Sequence, residues 1–159
     1  MEAGPDFPIR TDQKNAVSSP HVIAEVSIDV RTMKSIEKDG KPFSNKMDEI
    51  MYDALRATAH PKIHYWLSHL ALRHRATHPD SPSEFDARGK LAVAGVTNEV
   101  SMPVNVLPLG GNQLKVWGTV SLKMTDFHID PPSPKITLGL IKTGDEVRVS
   151  FEWVLARQN

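Results

Sequence analysis

The chain contains no cysteine, which excludes a disulfide framework, thiolate metal sites and a cysteine nucleophile. It has no surplus of charge: 19 lysines and arginines balance 19 aspartates and glutamates. No global field therefore draws it to nucleic acid or to an anionic bilayer. Long apolar runs are missing too, and no segment approaches the ~20 residues that a membrane-spanning helix needs. The opening stretch from Met1 to Pro8 has neither a basic region nor an apolar one, so the chain as it stands carries no export signal and would be cytoplasmic. Neither a Gly-x-Ser-x-Gly elbow nor a His-Glu-x-x-His pair occurs, the patterns that would place a nucleophile or a zinc-bound water.

What is present is alternation. Val22, Ala24, Val26, Ile28 and Val30 share one parity, with Glu25, Ser27 and Asp29 on the other, and successive side chains cross a strand from face to face. A second strand begins at Ile63 after Pro61. Ile63, Tyr65 and Leu67 lie in one phase and Leu70 and Leu72 in the other, which predicts a β-bulge near Ser68. Further strands are expected over Phe85–Ala94, Glu99–Leu107, Gln113–Asp126 and Glu146–Leu155. In the last, Val147, Val149, Phe151, Trp153 and Leu155 oppose Arg148, Ser150, Glu152 and Val154, an inner wall and a wet outer one. Gly118, amid Val116, Val120, Leu122 and Met124, permits a bend. Gly95 to Asn98 and Gly110 to Asn112 supply turn residues, so neighbouring strands read as sequential antiparallel hairpins. Asp130 to Pro134 and Ala76 to Ser83 read as proline-bearing loops.

One helix interrupts the strands, over Lys46–Arg56, where Met47, Ile50, Met51, Ala54 and Leu55 form a one-sided apolar stripe. Ser44 or Asn45 can cap it. At 159 residues the chain suits a single domain, 1–159, built on one core. The fold class is all-β, an antiparallel lipocalin-like barrel of six to eight strands with this amphipathic helix around 46–56. Closure is open. Six strands stand out, with a weaker one over Phe7–Arg10, whereas a barrel with a ligand-sized interior has about eight.

From about Asp6 to its end the chain resembles the YceI-like polyisoprenoid-binding family. The resemblance is carried by Val26–Val30 followed by Ser35, by Met47-Asp48, and by Ala59 to Tyr65 with its Pro-x-Ile-x-aromatic pattern. It is carried further by Gly89 to Thr97, which resembles Gly-x-Leu-x-Ile-x-Gly-Val-Thr with Val93 in place of Ile, by Val100, Met102, Pro103 and Val104, by Met124 to Phe127, and by Gly144 to Val149. It implies an eight-stranded barrel around a long apolar cavity, in proteins commonly exported to the bacterial periplasm, that store or transport lipid without turning it over. The family has one or two further strands before the region this chain begins with. A barrel short of a strand leaves unpaired backbone groups at its edges, and a homodimer across the opening is one expected consequence.

The expected lining is Val26, Ile28, Ile63, Tyr65, Leu91, Val93, Val104, Val106, Val116, Val120, Leu122, Phe151 and Trp153, with Met47, Ile50 and Met51 as a deformable cover. The same residues would serve equally as an ordinary filled core. Apart from a bound isoprenoid or other lipid, no cofactor is expected. His60, His64, His69, His74 and His78, or Asp126, His128 and Asp130 on one strand parity, have no recognised metal-ligand spacing, and Ser68-His69 and Ser121 with Asp126 no catalytic one. Arg73-His74-Arg75 reads as a solvated strand end. Three functions follow in descending order: a non-enzymatic binder of a long apolar lipid, a ligand-free β-domain that pairs with protein through its open edge, and a metal-assisted hydrolase.

Overall fold

Each apolar alternation in the sequence becomes a strand in the computed structural model, which describes residues 23–37, 39–131 and 144–156. The strands are β1 (Ala24–Asp29), β2 (Lys62–His74), β3 (Ser83–Val93), β4 (Val96–Gly110), β5 (Gln113–Lys123) and β6 (Glu146–Ala156), with one helix, α1 (Asn45–Ala54), between β1 and β2. They form one all-antiparallel sheet in the order β1-β2-β3-β4-β5-β6, curled into a half-barrel. Val22, the expected strand over Phe7–Arg10 and the loop residues after Pro131 lie outside the described residues.

The β-bulge predicted near Ser68 is present. The β2–β3 register shifts between Leu67 and His69, and this returns Leu70 to the face that carries Leu67, since Leu67 opposes Gly89 and Leu70 opposes Ala87. The turn after β3 is tighter than expected. Val93 pairs with Val96, leaving a two-residue loop of Ala94 and Gly95 with φ of 50° and 83°. Two positive φ angles are what the strand twist demands of such a loop, so Val96 to Asn98 belong to β4 rather than to the turn.

β5 ends at Lys123 instead of running to Asp126. Asp145 is responsible: its carboxylate accepts hydrogen bonds from Thr125 N–H at 2.9 Å and from the Thr125 hydroxyl at 2.6 Å, and Met124–Phe127 winds into a 3₁₀ turn. Asp126, His128 and Asp130 therefore do not share a strand face. His128 ends the turn in left-handed geometry.

α1 starts at Ser44, whose hydroxyl accepts from Met47 N–H at 3.1 Å, the capping bond its sequence position suggested. The helix packs beside the β1 end of the sheet, where Val30, Tyr52 and Ala57 are buried with Met51, Leu55 and Ile63 around them.

Candidate functional site

Directly opposed residues on neighbouring strands share a face of the sheet, and the concave face is the one on which Leu67 and Leu70 of β2 join one cluster with Leu114, Val116 and Phe151 of β5 and β6. Val26 opposes Tyr65, which opposes Leu91; Ile28 opposes Ile63. Val104 opposes Gly118, which opposes Phe151, and Val106, Val116 and Trp153 form a second row. Val93, Val120 and Leu122 follow by alternation along their strands. All thirteen strand residues expected to line an interior thus share one face. That face carries no charged side chain on any of the six strands. The sequence reading missed Leu67, Leu70, Phe85, Ala87, Val100, Met102 and Leu114, which join the same apolar surface. Val100 and Met102 share the parity of Val104 and Val106, so that signal was available locally; Leu70 was hidden by the bulge.

The trough is closed at one end. Val93, Ala94, Val100, Phe127 and Ile129 are buried there, with Ala54 of α1 and Leu55 at its C-cap against them. Of the helical cover, Met51 packs on the Val30 cluster, while Met47 and Ile50 are half-buried and belong to neither cluster. Polar bonds fasten this end. Asp48 accepts from Ser35 N–H and from the Ser35 hydroxyl, both at 2.7 Å, and lies 3.3 Å from Lys34 Nζ. The Ser35 backbone bond chiefly holds the Asp48 carboxyl below its ordinary value, helped by the Ser35 hydroxyl and Lys34. The Tyr52 hydroxyl donates toward Met33 O at 2.8 Å, and Arg56 reaches Ala94 O and His128 O at 3.3 and 3.0 Å.

The wall has a seam. β4 and β5 pair only from Val104–Gly118 to the Gly110–Gln113 turn, and below that they splay. Pro103 O lies 2.6 Å from where a Cβ on Gly118 would sit, so Pro103 turns its ladder groups toward β5. There it has no N–H to offer. The splay leaves a cavity of about 610 Å³ with Glu99, Ser101, Ser121 and Lys123 on its outer side and Val100, Val120 and Leu122 on its inner side. Asn98 spans its foot, donating to Asp126 O at 2.7 Å.

Two polar atoms on β2 are buried without a hydrogen-bond partner among the described residues, the Tyr65 hydroxyl and His64 Nδ1. Burial pushes the Tyr65 phenol up from its ordinary value. It lies on the concave face, its ring tip 2.9 Å from where a Gly89 Cβ would stand. His64, on the convex side, stacks on Trp66 and lies within ion-pair range of Glu25, at 3.5 Å. Among the described residues no three histidines or carboxylates converge as a metal site would require, and no helix is long and apolar enough to cross a membrane.

The family model for the YceI-like domain matches residues 6–155. The fold is similar to that of Burkholderia cenocepacia BcnA, with 19% identity and a TM-score of 0.60 over 83% of this chain and 73% of that one. It is also similar to that of a Campylobacter jejuni YceI protein, with 13% identity and a TM-score of 0.60 over 100% of both chains. Comparison with curated protein sequences gives no match.

Proposed function

Because this chain belongs to the YceI-like family, we propose that it binds a long apolar lipid, a polyisoprenoid, prenyl quinone or similar tail, and holds it away from water without chemical turnover. The observation that carries this reading is the uncharged concave face, continuous across all six strands. An ordinary core would be covered on its second side. Here inner-face residues toward the sheet edges, Ile28, Val147 and Val149, stand 36%, 38% and 42% exposed. Recognition on such a face is by shape and length. Burying a CH₂ contributes about 0.8 kcal/mol, so ten tail carbons offer roughly 8 kcal/mol before the cost of association. A charged headgroup would find no partner on the strands' inner face and belongs outside.

Native mass spectrometry of the purified chain tests the reading. An added mass of a few hundred daltons that organic solvent strips away, identified as a tail-bearing lipid in the extract, is the expected result. A chain that stays bare after incubation with prenyl quinones overturns it. The β6 edge, which has no neighbouring strand among the described residues, then favours the second reading, a β-domain that acts through protein pairing.

A further inference from the structure

We propose that the end of the sheet opposite α1 docks on a phospholipid bilayer, with Leu72, Leu109 and Leu155 entering the boundary between headgroups and acyl chains. This inference rests on the lipid reading for its purpose and adds the surface where the tail is taken up.

Topology gathers the three leucines. In this antiparallel order β2, β4 and β6 run in one direction, away from the buried cluster of Val93, Val100 and Phe127. Leu72 lies two residues from the end of β2, and Leu109 and Leu155 each lie one from the end of β4 and of β6. They are 46%, 46% and 45% exposed. The ladder shifts register between Pro108 and Gly110, which leaves Leu109 outside the pairing. Single exposed leucines are ordinary on a protein surface, whereas several at one place mark a contact.

The surrounding chemistry fits a bilayer. Val100 to Leu114 contains no charged residue, so the β4–β5 turn enters an apolar boundary without dehydrating a charge. Behind it stand Lys115 and Trp117, with Lys115 Nζ 5.6 Å from the centre of the Trp117 ring; lysine stems and tryptophan rings suit the headgroup level. Lys115 opposes Leu107, which is two residues, about 7 Å, behind Leu109 along the strand. Membrane-surface segments bury their apolar side about 5–10 Å, so Lys115 among the headgroups sets Leu109 among the first acyl carbons. Asp86 and Glu152 are each paired with a cation, Arg73 at 3.5 Å and Lys115 at 3.1 Å, which limits their repulsion of lipid phosphate.

The rim also leads inward. Pro108 and Leu155 both oppose Leu114, and the row of Val106, Val116 and Trp153 follows, so a tail leaving the acyl chains at Leu109 meets apolar side chains into the trough. The exposed apolar pair at the other end lacks these features. Ile36 and Phe43, 66% and 53% exposed, lie just before α1, with Glu37, Asp39 and Lys41 between them. Entering a bilayer there would dehydrate charges, which makes Ile36 the internal control.

The chain has no cysteine, so a single introduced one carries an environment-sensitive dye such as nitrobenzoxadiazole. With phosphatidylcholine vesicles, dye on Leu109→Cys should move its emission to shorter wavelength, and dye on Ile36→Cys should not. In flotation with the same vesicles Leu109→Asp should partition about tenfold less than the parent, and Ile36→Asp should match the parent. Salt of about 1 M should leave binding in place, because apolar insertion is not screened. Leu109→Asp should also slow the uptake of a prenyl quinone from vesicles, while its uptake from detergent stays as in the parent. A parent that takes quinone from neither source ends the lipid reading but not docking, which the dye decides. A dye at position 109 whose emission vesicles do not move overturns the proposal, and so does an equal shift at position 36. So do binding lost in salt and, with the fold intact by circular dichroism, a Leu109→Asp chain that floats like the parent.

Discussion

The α1 end of the trough and the β6 edge are built from the same kinds of apolar residue and finished in opposite ways. At the α1 end, Val30 and Phe127 are 1% and 3% exposed, and Asp48, Tyr52 and Arg56 satisfy the backbone groups around them. At β6 the apolar residues stand in water and the backbone edge has no neighbour among the described residues. Packing with satisfied polar groups fixes one arrangement; apolar side chains that remain exposed contribute less to it. Burial is concentrated at the first region and exposed apolar surface at the second.

The comparison breaks most visibly if the two ends respond alike to truncation. Phe127→Ala should cost about 3–5 kcal/mol in urea unfolding, whereas Val154→Thr on β6 should change stability by no more than about 0.5 kcal/mol. Equal effects would mean that the edge is as fully packed as the closed end. Gly118→Ala probes the wall between them. Its new Cβ would meet Pro103 O at 2.6 Å and the Phe151 ring at 2.9 Å, so a loss of about 1–3 kcal/mol is expected from overpacking; a neutral outcome would show that the β4–β5 joint has slack.

The smallest effect is the most specific. The Asp48 carboxyl is held below its ordinary value in the folded chain, so the stability it contributes is present above its unfolded pKa, near 4, and is lost as pH falls through the lower folded value. Asp48→Asn should therefore lower Tm at neutral pH, with the gap to the parent closing as the pH falls below ~4. A gap that stays constant with pH would mean that Asp48 acts by shape alone.

Much of the concave face was legible because it depends on a period of two, and Val26, Tyr65, Leu91, Val116 and Phe151 each announce their parity to immediate neighbours. Even the β2 bulge left its mark as a phase change between Leu67 and Leu70. The closed end was not legible in the same way. Phe127 and Ile129 are placed by a 3₁₀ turn that Asp145 holds from twenty residues away, and Asp48 finds Ser35 across thirteen. Contacts of that span leave no local pattern. The seam was hidden for a different reason: Pro103 sits in a convincing strand, and only the register shows that its missing donor falls on the β5 side.

That missing donor divides the sheet mechanically. β1 to β4 form one leaf and β5 with β6 another, joined by ladder pairing only near the Gly110–Gln113 turn. At the α1 end side chains join the leaves instead: Asn98 donates to Asp126 O at 2.7 Å, and Phe127 and Ile129 pack with Val93 and Val100. In hydrogen exchange, amides on the facing edges of Glu99–Met102 and Thr119–Leu122 should be replaced sooner than those beside the turn. One imino acid thus draws a line along which side-chain packing, and not a backbone ladder, holds the sheet together.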